Sequence, residues 1–337
     1  MNKVQICNWL LTRRCNLKCS YCAIVKNYKG IPEEYPKMRY YHENEMSTEF
    51  IIEALGKFKL HNPDCFHIWY GGEPTLFVDL PEIINYCNDE NIHYTVITNN
   101  TPAVQDRLED LISKVSEVKG LTSSVDPLGI DSYSEKKSQF GLEKLIQYKG
   151  VIKDLVAEIT VSKSNIHKLY DTVKLLTENG ISSSITFIDI SKSPYYDFSN
   201  VKDSSMMVEN ESFLRKEIDR IIKDKLDVHM ASSLLPKMLD NLPSHYDCEI
   251  EKNIHNMTID ADGTVRLCLR IKGTKLPNTK IVDCFMPDGK LKLFLKDWYS
   301  IDKTNYCCLC NWTCVMMSNI ISKKESDVDD LIHSDRR

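Results

Sequence analysis

Short apolar runs alternate with amphipathic helical patterns over the first two-thirds of this chain. Strand signals fall at Val4 to Leu11, Cys65 to Tyr70, Tyr94 to Thr98, Gly120 to Val125, Val156 to Val161 and Ser184 to Asp189. Helical spacing covers Thr48 to Lys59, Leu80 to Glu90, Ala103 to Ser116, Gly141 to Ile152 and Ile166 to Asn179. Strands separated by helices predict βαβ units and a parallel sheet. Ser191 to Asp203 is polar, contains proline and reads as a connection. Glu211 to Lys225 and Ser232 to Leu242 read as two more helices. From Cys248 the pattern changes to cysteine and turn residues. Met257 to Cys268 alternates around Asp262-Gly263, which is a β-hairpin signal. The tail from Ser322 to Arg337 is charged and reads as solvated.

Composition narrows the class. The apolar fraction of 42% suits a globular protein with a sizeable core. A length of 337 residues fits one large domain or two. The net charge of −5 argues against a protein that coats long nucleic acid, where a basic stripe is expected. No apolar run reaches the ~18 residues that a membrane span needs. Met1-Asn2-Lys3 leads into a short mixed segment rather than a signal peptide. These features predict a soluble, cytoplasmic protein with no membrane partner. The chain has 13 cysteines, and clustered thiols in a reducing compartment more often bind metal than pair with each other.

Cys15, Cys19 and Cys22 lie in the run Arg14-Cys15-Asn16-Leu17-Lys18-Cys19-Ser20-Tyr21-Cys22, directly after the first strand signal. Three local thiolates can ligate three irons of a cubane cluster and leave the fourth open. An open position on a metal is where a substrate or cofactor binds. A zinc knuckle is the alternative, but structural zinc takes four protein ligands, usually as two close pairs. The CxxxCxxC pattern with aromatic Tyr21 resembles the signature of the radical SAM enzymes. The resemblance implies a catalytic [4Fe–4S] cluster on Cys15, Cys19 and Cys22 with S-adenosylmethionine on its open iron. It also implies reductive cleavage to a 5′-deoxyadenosyl radical that abstracts hydrogen from a substrate. The implied fold is α/β, a partial (β/α)6 TIM-like barrel, with the site at the carboxyl ends of the strands.

Further segments fit the resemblance. Gly71-Gly72-Glu73-Pro74 follows the second strand signal and is similar to the family's GGEP motif, whose backbone and Glu contact the methionine amine. Glycines here would let backbone approach a ligand closely. Thr98 and Asn99 close the third strand in a loop that faces cofactor and substrate in the family. Ser123, Ser124 and Asp126 resemble a Ser-Leu-Asp-Gly motif, with Pro127 in place of the glycine. A plain turn explains them equally well. Thr160 and Lys163 sit in Thr160-Val161-Ser162-Lys163-Ser164-Asn165-Ile166, similar to a segment of members that carry an extra cysteine-rich domain. Asn165 serves equally as a helix N-cap.

A second cysteine set comprises Cys248, Cys268, Cys307, Cys308, Cys310 and Cys314. It resembles the SPASM/Twitch extension of radical SAM enzymes, including the Gly-x4-Cys element at Gly263 and Cys268. The tail is short for the two-cluster SPASM pattern, so the resemblance implies the one-cluster Twitch case. Cys248, Cys268, Cys307 and Cys310 match its four-ligand layout, Cys314 can substitute for one of them, and Cys308 is spare. A structural zinc site stays open here. Cys7, Cys65, Cys87 and Cys284 lack partners at ligand spacing, and the histidines are scattered.

The expected organisation is a radical SAM partial barrel over 1–200, a helical linker over 201–245, a small cysteine-rich α+β Twitch-type domain over 246–320, and a charged tail over 321–337. The expected function is oxidation or rearrangement of a small molecule, with a flavodoxin or ferredoxin as electron donor. Only fourteen residues precede Cys15, which counts against a built-in leader-peptide domain. A ribosomal peptide or a nucleotide or nucleic-acid base remains the alternative substrate, and a non-catalytic zinc scaffold the alternative class.

Overall fold

The computed structural model describes residues 6–17, 19, 45–125, 141–187, 212–228, 256–263 and 265–266. Its strands are β1 (Ile6–Thr12), β2 (Phe66–Gly71), β3 (His93–Thr98), β4 (Gly120–Ser124), β5 (Asp154–Val161), β6 (Ser182–Phe187), β7 (Asn256–Ile259) and β8 (Val265–Arg266). They form one sheet in the order β6-β5-β4-β3-β2-β1-β7-β8. Neighbours from β6 to β7 pair in parallel, and β8 is antiparallel to β7.

The helices are α1 (Thr48–His61), α2 (Leu80–Asp89), α3 (Gln105–Lys114), α4 (141–148), α5 (Leu169–Glu178) and α6 (Ser212–Lys223). Ser47 caps α1, its Oγ accepting from the Phe50 N–H at 3.3 Å. Two segments read as single helices open with a 3-10 turn, Pro102–Val104 before α3 and Ile166–Lys168 before α5. Proline 102 fits the start because its missing N–H would have had no partner there. The helix read at Ser232 to Leu242 lies outside the described residues.

Alternation along the strands separates two faces. Cys7, Trp9 and Leu11 of β1, Trp69 of β2 and Val96 of β3 pack against Ile51, Leu55 and Phe58 of α1 and Ile83 of α2 in one apolar body. Ile159 and Val161 of β5 pack against Leu145, Leu169, Val173 and Ile218 in a second. Asn8, Thr95, Thr122, Ser124, Glu158, Thr160 and Thr186 alternate onto the other face and are half-buried. His67 is structural. It is buried beside Trp9 and Trp69, and its Nδ1 accepts from Trp9 Nε1 at 2.9 Å. Burial lowers its pKa to about 3, so the ring is neutral. Cys65 and Cys87 are core thiols, and burial pushes Cys87 up to about 12.

The C-terminal hairpin forms where alternation placed it, but not as a detached element. Asn256 to Ile259 pairs in parallel with Ile6 to Trp9, so β7 covers the outer edge of β1. Met257, Ile259 and Val265 complete the apolar body under α1. The remainder of the cysteine-rich region, with Cys248, Cys268, Cys307, Cys310 and Cys314, lies outside the described residues.

Candidate active site

The carboxyl ends of β1, β2 and β3 lie side by side, and their loops are bonded to each other. Gly72 N–H donates to Thr12 O and Glu73 N–H donates to Arg14 O, both at 2.7 Å. The loop after β2 therefore runs directly under the segment that carries Cys15. A Cβ on Gly71 would lie 2.3 Å from Thr12 O, and one on Gly72 2.1 Å from Arg14 O. The two glycines admit the backbone of the neighbouring loop, whereas sequence alone suggested a ligand. Gly72→Ala is expected to force those loops apart at a cost of about 1–3 kcal/mol. Thermal unfolding and iron uptake on reconstitution measure this, and both should fall.

Glu73 is fully buried and its carboxylate is taken up within the protein. Oε1 accepts from Thr75 N–H at 3.2 Å, Thr75 Oγ1 at 2.7 Å and Thr98 Oγ1 at 2.9 Å, and Oε2 accepts from Asn99 N–H at 2.8 Å. Burial pushes its pKa above the ordinary carboxylate value, and these donors oppose that rise. One buried side chain thus fastens the β2 loop to the β3 loop. Pro74 opens the 3-10 turn Pro74–Leu76 that Glu73 caps.

Cys15 is buried at the inner end of this assembly and Cys19 is half-buried, and neither is in a disulfide. Leu17 N–H points at Cys15 Sγ from 3.4 Å and Asn99 Nδ2 from 3.8 Å. Two N–H donors aimed at one sulfur suit a thiolate, which is the form that ligates iron. Cys22 and Tyr21 lie outside the described residues.

Beside the cysteine loop lies a charged clasp that sequence reasoning missed. Arg14 forms a two-pronged pair with Glu45, Nε to Oε1 at 3.0 Å and Nη2 to Oε2 at 2.9 Å. The side chains are 1% and 2% exposed. Thr12 Oγ1 also donates to Glu45 Oε1 and accepts from Arg14 N–H at 3.0 Å. On the other side Arg13 pairs with Asp260 at 2.5 Å, and Met46 N–H donates to Ala261 O at 2.8 Å. The clasp ties the cysteine loop to the hairpin that leads towards Cys268. Residues 31 and 247 positions apart give no local signal.

The radical SAM superfamily model matches residues 9–192, more than half of the chain, including Cys15, Cys19, Glu73 and Asn99. The chain belongs to the radical SAM superfamily. Among curated proteins, this radical SAM chain is similar to Fe-coproporphyrin III synthase of Methanosarcina barkeri. Identity is 31% over 193 residues, covering 53% of this chain and 43% of that protein. It is also similar to a "Probable GTP 3′,8-cyclase" of Methanococcus maripaludis, 29% identical over 167 residues, covering 49% and 50%. The chain spans about half the length of the curated relatives it matches. Among solved structures it is similar to Streptococcus suis SuiB bound to precursor peptide SuiA. The TM-score is 0.62 at 15% identity, covering 96% of this chain and 74% of that one. At that identity the likeness is one of fold, and the parallel α/β sheet agrees with the family's partial barrel. The protein is an enzyme, and its family implies a [4Fe–4S] cluster and S-adenosylmethionine. Cys15 and Cys19, neither in a disulfide, and the N–H donors around Cys15 fit such a cluster.

The remaining residues singled out from the sequence of this radical SAM enzyme separate by face. Ser124 and Thr160 stand half-buried on the polar face of the sheet. Ser123 does not join them. It is fully buried, aligned with Thr98 and with Ala157 of the helix-packed core. Thr98 spends its hydroxyl on Glu73. Lys163 is exposed. Asn165 closes a turn, accepting from Ser162 N–H at 2.8 Å and donating to Thr160 O at 3.0 Å. Asp126 lies outside the described residues. No described helix is long and apolar enough to cross a membrane.

Proposed function

We propose that Cys15, Cys19 and Cys22 hold the catalytic cluster, and that this enzyme oxidises or rearranges a small molecule. The observation that carries the reading is the joining of the Cys15 loop to the Gly71-Gly72-Glu73 loop at the carboxyl edge of adjacent parallel strands. When bound, the cluster and S-adenosylmethionine supply a 5′-deoxyadenosyl radical. The chain's part is to hold, orient and shield. Glu73 fixes the β2 and β3 loops against each other, and Gly71 and Gly72 let the cysteine loop pass close by. Ser124 and Thr160 present hydroxyls on the polar face, suited to the hydroxyl groups of the cofactor. A flavodoxin or ferredoxin delivers the electron.

Cys248, Cys268, Cys307 and Cys310, with Cys314 as a substitute, form a Twitch-type auxiliary site in the region 246–320. Four thiolates there would make it an electron acceptor for a substrate radical, as an oxidation needs. The Arg13–Asp260 pair joins the Cys15 segment to the hairpin that precedes Cys268 in sequence.

The names of the two curated relatives support a small-molecule substrate, since they specify Fe-coproporphyrin III and GTP. A peptide substrate is the second reading, favoured by the fold likeness to SuiB with its precursor peptide. Anaerobic release of 5′-deoxyadenosine by the reconstituted, reduced enzyme tests both. Source-cell extract is split by size and each fraction is added. Stimulation by the filtrate is expected. Stimulation by the retentate alone, lost on protease treatment, would replace the first reading with the second.

A further inference from the structure

We propose that Asn99 is a positioning residue whose side-chain amide donates to the Cys15 thiolate and raises the reduction potential of the cluster. The inference rests on the reading that Cys15 is a cluster ligand.

Asn99 Nδ2 lies 3.8 Å from Cys15 Sγ, within hydrogen-bond reach of a sulfur. Which end of the amide faces the sulfur is fixed by its other partners. Thr101 N–H, which can only donate, meets Asn99 Oδ1 at 3.2 Å. Thr101 Oγ1 also donates to that oxygen at 2.7 Å. The amide oxygen is therefore turned away from Cys15 and the NH2 group towards it. Asn99 Nδ2 donates on to Asn16 Oδ1 at 2.8 Å, and Asn16 Nδ2 donates to Thr101 Oγ1 at 2.8 Å. The three side chains close a ring in which every bond runs in the same sense. Such a ring resists reversal, because turning one member breaks two bonds at once.

The setting gives this donor leverage. Cys15, Asn99 and Thr101 are all buried, so the dipole is poorly screened. Reduction adds one electron to the cluster and makes its thiolate ligands more negative. An N–H aimed at a ligand sulfur stabilises the reduced form more than the oxidised form and raises the potential. Leu17 N–H supplies a second, backbone donor, which substitutions at Asn99 leave in place. Asn99 is thus the adjustable part of the pair. Its backbone N–H binds Glu73, so side-chain changes leave the link between the β2 and β3 loops in place.

The test compares wild type with Asn99→Leu and Asn99→Asp after anaerobic reconstitution. Iron and sulfide content is measured first. The redox titration then follows the EPR signal that changes on adding S-adenosylmethionine, so the auxiliary site does not contribute. At matched iron content and fixed potential, Asn99→Leu should lower the reduced-to-oxidised ratio about tenfold, a shift of about 59 mV for one electron. Asn99→Asp, which puts an acceptor beside the thiolate, should lower it further. An unchanged midpoint in both variants overturns the proposal. Thr101→Val serves if the Asn99 variants do not load iron. It keeps Asn99 and removes one of the two groups that aim it, so its ratio should fall by a smaller factor, and an unchanged midpoint there also overturns the proposal. Failure of the underlying reading looks different: Cys15→Ala would keep the S-adenosylmethionine-responsive signal.

Discussion

Cys15→Ala should reduce 5′-deoxyadenosine release to the level of a protein-free control. The residue is small and sits at the end of β1, so the substitution leaves the helix-packed core untouched. What it removes is one of the three thiolates proposed to hold the catalytic cluster. A cubane held by three cysteines cannot close on two, and the iron content should fall by about four per chain. Iron at the second cysteine set should remain. Far-UV circular dichroism checks the fold, chromatography measures the product and chemical assay measures the iron. The same experiment separates the enzyme from a zinc scaffold, which would be colourless, hold no iron and lose none. Full cofactor cleavage by Cys15→Ala would sink the ligand assignment.

The hydrogen bonds around Glu73 join three loops into one unit. The segment carrying Cys15, the Gly71-Gly72 turn and the Thr98-Asn99 loop come from three strands, yet each is bonded to the next. Two of the links end on backbone atoms that no side-chain substitution can supply. A shift in any one loop is therefore passed to Cys15. Rigid placement of this kind is what radical chemistry demands, because a misplaced reactive group attacks whatever lies nearest.

Local pattern revealed most of the sheet. Among the described residues, the six barrel strands lie within two residues of the apolar runs that announced them, since alternation and short β-rich runs record a face directly. Cys15 and the Gly71-Gly72-Glu73 run stood out in the sequence because closely spaced residues leave a local motif. Other features depended on pairing between distant segments. Nothing in Asn256 to Ile259 says that it will lie beside β1, because an edge can be covered by any strand with an apolar face. The contact that Gly71 and Gly72 make with the neighbouring loop was not legible for a related reason. Glycine shows that something comes close, not what it is. Ser123 and Ser124 are adjacent in sequence and chemically identical, and only strand register sends one to the core and the other to the polar face.

Arg14→Ala should cost about 3–5 kcal/mol of stability, the range for breaking a buried pair by removing one partner. The cost comes less from the bonds lost than from Glu45, whose buried carboxyl group would be left without its partner. Its side chain is 2% exposed, and Thr12 Oγ1 alone would remain as a donor from this clasp. Arg14→Lys should recover only part of the loss, because an ammonium cannot reproduce the two parallel bonds of the guanidinium. Arg14→Met with Glu45→Leu should regain most of it, since the apolar pair leaves no charge behind. Denaturant unfolding of the single and double variants closes the cycle. Cluster loading then shows what stability alone does not. The double variant restores packing but not the bond from Glu45 that orients Thr12 near Cys15, so it should fold well and still take up iron less completely than wild type. Equal stability of Arg14→Ala and wild type would mean that Glu45 finds another partner or water, and the clasp would lose its role in setting the cysteine loop.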